Sequence, residues 1–141
     1  MKITVLLGGA SAERDVSLAS GGRIVQALRS LGHLVTPLDP ASGVLGETQF
    51  TAVTQGAMKR EPPTLEQLRT LEKSQLSPVL LTLPAIREAE AVFLALHGGQ
   101  GEDGTLQAML DAGHVCYTGS GHLASRSGKT ARSATTPAII H

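Results

Sequence analysis

The stretch LALHGGQGEDGTLQAMLDAG, Leu94 to Gly113, carries the residues best suited to chemistry. An apolar run ends at His97, glycines follow, then the adjacent acids Glu102 and Asp103, then an amphipathic run. Histidine gains and loses a proton near neutral pH and can bind or orient a polar ligand. No rule of secondary structure asks for one at this point. The alternative is a ring satisfied by its own glycine loop, and this stretch alone does not separate the two. Glu102 and Asp103 stand where a helix begins. Carboxylates there accept hydrogen bonds from N–H groups that have no partner inside the helix and complement its dipole. They therefore read as loop and cap residues, with Gly104 at the helix entrance.

A second group is GGASAERDVSLASG, Gly8 to Gly21. The pair Gly8–Gly9 allows a tight turn and close approach of a ligand. Ser11, Glu13, Asp15 and Ser17 then crowd the start of a helix. Glu13 is either a dipole partner or a carboxylate offered to a cationic group such as an amino acid's ammonium, held by a charge-assisted hydrogen bond. The local pattern leaves both open.

Both groups need a frame to hold them. Ile3 to Leu7 is a short apolar run closed by glycines, the mark of a buried parallel strand, expected near residues 2–7. Val16, Ser20, Ile24, Leu28 and Leu31 recur at helical spacing, widened by Val25 and Ala27, which predicts a helix near 15–31 stopped by Gly32. Residues 33–38 read as a second strand ended by Pro40, and Ala91 to Leu96 as a third. A helix is expected over 104–112, with Asp103 as cap and Gly113 as stop. Val115 to Tyr117 reads as a short fourth strand. The alternation predicts an α/β fold with a mostly parallel sheet of about four strands and helices on both faces. Ligands of such sheets sit beyond the carboxyl ends of the strands. Three loops converge there: Gly8 to Asp15, His97 to Asp103, and Thr118 to Gly121.

The excursion 40–90 is irregular. Thr64 and Gln67 form a capping-box pattern after two prolines, ahead of a weak Leu65, Leu68, Leu71 stripe. Pro78 and Pro84 interrupt the chain beyond that stripe, so one or two short helices are expected. Residues 126–141 lack apolar periodicity and read as a disordered tail.

The composition is that of a globular domain: 141 residues, 41% hydrophobic and 17% charged. Twelve basic and twelve acidic residues cancel, so no net positive field argues for nucleic acid or an anionic membrane. The apolar run at the start is too short for a signal segment or a membrane span. Cys116 is the single cysteine, which excludes an intrachain disulfide and a cysteine-cluster metal site and is compatible with a cytoplasmic location. Two apparent nucleotide motifs fail. GHLASRSGKT ends like a P-loop, but six residues separate Gly121 from Gly128 where four are required. GSGHLA matches a dinucleotide fingerprint without the helix and distal acid that complete it.

Taken together, LLGGASAERDVSLASG, LALHGGQGEDGTLQAML and YTGSGHLAS resemble the N-terminal domain of D-alanine–D-alanine ligases, ATP-grasp enzymes of peptidoglycan synthesis. The pattern H-G-x-x-G-E-D-G-x-L-Q-small is met at every position from His97 to Ala108. The resemblance covers roughly residues 1–38 and 91–125. It implies a Rossmann-like, pre-ATP-grasp domain over 1–125, with a variable excursion over 40–90 and a non-family tail over 126–141. It implies that Glu13 is catalytic and holds the ammonium of a first D-alanine, with Val16 beside the methyl group. Ser17, His97 and Gly98 would contact the substrate, His97 near its carboxylate, while Gly8, Gly9, Glu102, Asp103 and Gly104 shape the loops. The implied reaction joins two D-alanines with ATP and Mg²⁺ in the cytoplasm, in an enzyme that can be a homodimer. The Met-Asp-Lys found soon after this turn in the family does not appear here, and Cys116 stands where proline is usual. The resemblance thus predicts a truncated or frame-shifted product that binds neither ATP nor metal by itself and is inactive alone. Two other readings are a stand-alone Rossmann-like domain binding a small molecule or a partner, and a fragment of a nucleotide-binding oxidoreductase. The His97 string argues against the second of these.

Overall fold

A computed structural model describes residues 1–57, 64–74, 79–98 and 103–118. Strand β1, Lys2–Leu6, lies inside a four-stranded sheet. It pairs in parallel with β2, Leu34–Asp39, and with β4, Ala91–Leu94. Ile3 faces Val35 on one side and Ala91 on the other. Its burial on both faces explains why β1 reads as an apolar run without alternation, interrupted only by the buried Thr4.

Alternate residues of the strands serve two cores. Ile3, Val5, Leu7 and Val35 pack with Leu18 and Val25 of helix α1, Arg14–Ser30, and with Leu45 and Phe50 at helix α2, Glu47–Ala57. Leu6, Leu38 and Val92 pack on the opposite face with Leu80, Ile86, Leu106, Leu110 and Tyr117. Those residues come from a 3₁₀ turn, Leu80–Thr82, from helix α4, Pro84–Arg87, and from helix α5, Thr105–Ala112, with Tyr117 just beyond it. The result is an α/β sheet, mostly parallel, with helices on both faces.

Several details differ from the sequence expectation. The fourth strand is not Val115 to Tyr117, which adds only one parallel bridge, Tyr117 to Val92. It is β3, Gly43–Val44, antiparallel to β2 and drawn from the excursion, so the strand order is β3-β2-β1-β4. Two residues of strand are too few to leave an alternating pattern. Helix α1 has nearly the expected span but a different inner face. Val16 and Leu31 are 56% and 73% exposed, whereas Ser17, Leu18, Gly21, Gly22 and Val25 are buried. Two glycines and a serine make this face, so counting apolar residues misplaces it. A Cβ on Gly21 would lie 2.5 Å from Leu7 Cβ, and one on Gly22 would lie 2.8 Å from Thr54 Cγ2. The first glycine lets α1 touch the sheet and the second lets it touch α2.

Helix α2 carries Thr51, Val53, Thr54 and Gly56, all weak helix formers, and tertiary contacts hold it. Phe50 is buried in the core, Arg29 stacks 5.4 Å from its ring centroid, and Arg29 pairs with Glu47 at 2.7 Å. Helix α3, Leu65–Ser74, begins with the capping box read from the sequence. The Thr64 amide donates to Gln67 Oε1 at 2.9 Å, and the Gln67 amide donates to Thr64 Oγ1 at 3.3 Å. Pro84 does not break a helix but opens α4, where its missing N–H costs nothing. Among the described residues no helix is long and apolar enough to cross a membrane. The tail 126–141 lies outside the described residues.

Candidate functional site

The loops after β1 and β4 leave the same end of two adjacent parallel strands. Backbone pairing carries both a step beyond the strands: the Leu7 amide donates to the Leu38 carbonyl at 3.1 Å, and the Ala95 amide to the Leu6 carbonyl at 2.9 Å. Gly8 and Gly9 then turn the first loop with φ of +84° and +75°, the left-handed region that side chains disfavour.

Two side chains that the sequence reading did not single out hold this turn. Asp39, at the end of β2, is fully buried and accepts four hydrogen bonds. Its donors are the amides of Gly9 and Ala41 at 3.1 and 2.9 Å, the Ser42 hydroxyl at 2.8 Å, and Arg14 Nη2 at 2.6 Å. Arg14 also donates to the Gly9 carbonyl at 2.9 Å. A Cβ on Gly8 would lie 2.9 Å from both Arg14 Nη1 and Asp39 Cγ, so the ion pair fills the space a side chain would need. The chain separation of Arg14 and Asp39 removes any local pattern by which sequence could signal the pair.

Ser17 is completely buried. Its hydroxyl accepts from the Gly8 amide at 2.8 Å and donates to the Ala95 carbonyl at 2.7 Å. It therefore ties the two loops together from beneath. Val16, one residue earlier, is exposed.

Above Ser17 the loops meet again. Ser11 Oγ donates to the His97 carbonyl at 2.7 Å and accepts from the Glu13 amide at 3.2 Å. The His97 ring, partly buried, places Nε2 3.1 Å from Ser20 Oγ. Gly98 has φ +70°, and a Cβ on it would lie 3.3 Å from both Glu13 Oε2 and Ser11 Oγ. Glu13 and the His97–Gly98 turn are thus neighbours. Glu13 occupies the N-cap position of α1, yet its side chain makes no capping hydrogen bond. Among the described residues no cation pairs with it. An exposed carboxylate in this state is available to an ammonium group.

Asp103 has a defined local role. Its Oδ1 accepts from the Thr105 amide at 2.8 Å, at the entrance to α5, beside Gly104 with φ +90°. Glu102 lies outside the described residues, as do Gly119 to Gly121 of the third loop. Thr118 at the start of that loop is described: its hydroxyl accepts from the Leu94 amide at 3.2 Å. Among the described residues no three His, Cys, Asp or Glu side chains form a group able to hold a metal ion.

Comparison with known proteins identifies the family and the fold. The family model described as D-ala D-ala ligase N-terminus matches residues 2–120. The D-alanine–D-alanine ligase of Pediococcus pentosaceus is 42% identical over 139 residues, covering 89% of this chain and 39% of the relative. That of Pseudothermotoga lettingae is 40% identical over 125 residues, covering 89% of this chain and 30% of the relative. The crystal structure of D-alanine–D-alanine ligase from Bacillus anthracis superposes with a TM-score of 0.52 at 26% identity, covering 89% of this chain and 30% of that one. The chain therefore spans about a third of the length of these relatives.

Proposed function

This chain belongs to the D-alanine–D-alanine ligase family, as its N-terminal domain, and from that premise we propose that its two loops supply part of the binding site for the first D-alanine. The observation that carries the proposal is the placement of Glu13, a carboxylate with no cationic partner among the described residues, beside the turn His97–Gly98, where a Cβ on Gly98 would lie 3.3 Å from Glu13 Oε2. Glu13 would hold the ammonium group. Val16, exposed on the first turn of α1, would flank the methyl group, and His97 would face the carboxylate. Gly98 leaves room for the Glu13 carboxylate beside that histidine. Ser17, being buried, would act on the substrate only by fixing the loops that touch it.

In this reading the chain binds and orients one substrate of an ATP-dependent joining of two D-alanines, in the cytoplasmic synthesis of peptidoglycan precursors. Among the described residues no group of three His, Cys, Asp or Glu side chains is placed to hold Mg²⁺, and ATP and Mg²⁺ enter this reading only through the family. Those groups would belong to the part of the relatives that this chain does not span. A homodimer, if the assembly forms one, would follow the family.

The test is to join residues 1–125 to the remaining domains of the Pediococcus pentosaceus relative. D-alanine-dependent phosphate release is expected from the fusion, with Glu13→Gln raising KM for the first D-alanine about tenfold or more, one charge-assisted hydrogen bond's worth. His97→Gln should lower kcat. An active fusion indifferent to both substitutions would leave these residues structural and defeat the assignment.

A further inference from the structure

We propose that Ser20 is a positioning residue for His97: its hydroxyl holds imidazole Nε2 and thereby sets which ring nitrogen carries the proton. Ser20 Oγ lies 3.1 Å from His97 Nε2 and 3.4 Å from the Ser17 carbonyl oxygen one turn earlier in α1. A hydroxyl has one proton to give. Helical serines give it to the preceding turn's carbonyl. With its proton so placed, the Ser20 oxygen accepts and Nε2 donates, which is the arrangement we assign. Neutral His97 is accordingly the Nε2–H tautomer, and Nδ1 is the ring's remaining lone-pair atom.

The backbone of the same residue is held by a second hydroxyl, since Ser11 donates to the His97 carbonyl at 2.7 Å. Ser11, Glu13 and Ser20 belong to one loop and the helix it enters. That helix is seated on the sheet through Gly21 and on α2 through Gly22. Helix α1 thus brings Glu13 to its N-terminus and, seven residues further on, presents the group that aims His97. With Nε2–H committed to Ser20, a proton added to the ring goes to Nδ1, where it makes a donor suited to a carboxylate. That last consequence rests on the function proposed above, whereas the tautomer does not.

The test uses the 141-residue chain without ligand. Long-range proton–nitrogen correlation spectra of isotope-labelled histidine, taken where the ring is neutral, report the two tautomers. The Nε2–H form is expected to dominate for His97. Ser20→Ala should lower the ratio of Nε2–H to Nδ1–H about fivefold, the effect of one ordinary hydrogen bond, while the amide spectrum stays that of the folded chain. Ser20→Thr, which keeps the hydroxyl, should restore it. A dominant Nδ1–H form in the unsubstituted chain would overturn the proposal without any variant being needed, and so would a ratio indifferent to Ser20→Ala. If the tautomer behaves as expected but the fused enzyme is indifferent to His97→Gln, the substrate assignment fails and the Ser20–His97 pairing stands.

Discussion

Gly98 and Glu13, 85 residues apart in the chain, face each other across two loops: a Cβ on Gly98 would stand 3.3 Å from Glu13 Oε2. The glycine is also at φ +70°. Replacing it would strain the backbone and press on the one carboxylate placed to receive an ammonium. Gly98→Ala is expected to lower stability by about 1–2 kcal/mol, the cost of a side chain in the left-handed region. In the fused ligase it should raise KM for the first D-alanine in the same direction as Glu13→Gln. Urea denaturation gives the first quantity and steady-state kinetics the second. A stable variant with unchanged KM would mean that the contact has no bearing on the ligand.

The Arg14–Asp39 pair makes a different prediction, because it is buried and shapes the glycine turn. Side-chain exposure is 15% for Arg14 and 1% for Asp39. Asp39→Ala leaves the arginine and two backbone amides without their acceptor and should cost about 3–5 kcal/mol. Replacing both residues, Arg14→Met with Asp39→Leu, should cost less than the sum of the single changes, since no lone charge is left inside. A double-mutant cycle by chemical denaturation measures the difference. Strict additivity would show that the two side chains do not act as a pair.

Tyr117 predicts a pH dependence. It is the only tyrosine in the chain, is fully buried, and donates to Asp111 Oδ1 at 3.0 Å. Burial first, then the hydrogen bond to Asp111 and its charge, push the pKa of the hydroxyl up. The folded state therefore holds this proton more tightly than the unfolded chain. Its contribution to stability is full below the unfolded tyrosine pKa of about 10 and is lost as pH rises from there toward the higher folded value. Stability should fall with pH above about 10, and Tyr117→Phe should flatten that fall. Phenolate absorbance reports this one group alone, and titration of the folded chain at the ordinary tyrosine pKa would refute the expectation.

How far the sequence reaches depends on whether an element's cause is local. Strands β1, β2 and β4 are local: each is an apolar run closed by glycine, proline or a loop, and their ranges are legible to within a residue or two. The capping box at Thr64 and Gln67 is local as well, and it forms as written. The inner face of α1 is misread because Gly21 and Gly22 create a contact by lacking side chains. Strand β3 pairs with β2 across a short turn but is only two residues long, and helix α2 exists through Arg29 and through the core that Phe50 enters, whose other members are distant in sequence. At the candidate site, the rule that loops after adjacent parallel strands share an edge is enough to bring Glu13 and His97 to one place. The hydroxyls that join them, Ser11, Ser17 and Ser20, give no signal, because a serine near a helix start looks the same whether it caps, clamps or faces water. Asp39 gives none because its partners are a turn and an arginine on another element.

The end of α5 turns the same lesson into a measurement. Gly113 looks like the stop, because a glycine after an amphipathic run is the usual left-handed terminator. Yet Gly113 has φ −83°, and the left-handed residue is His114, at φ +54°. The His114 amide donates to the Asp111 carbonyl at 3.1 Å and the Val115 amide to the Leu110 carbonyl at 2.9 Å, so the cap closes around the histidine. At the end of α1 the same two bonds close around Gly32, at φ +88°, which shows how the motif is ordinarily filled. What Gly113 provides is space: a Cβ there would lie 2.9 Å from Leu81 Cδ2. Two neighbouring substitutions should therefore move stability in opposite directions. His114→Gly relieves the left-handed side chain and should stabilise by up to about 1 kcal/mol, the strain outweighing the added freedom of the unfolded chain. Gly113→Ala keeps an allowed backbone but pushes on the tip of the Leu81 side chain and should destabilise by at most about 1 kcal/mol. Thermal or urea unfolding of the two variants decides it. A destabilising His114→Gly would mean that the histidine is not the strained left-handed residue, and a stabilising Gly113→Ala would mean that Leu81 does not crowd the glycine.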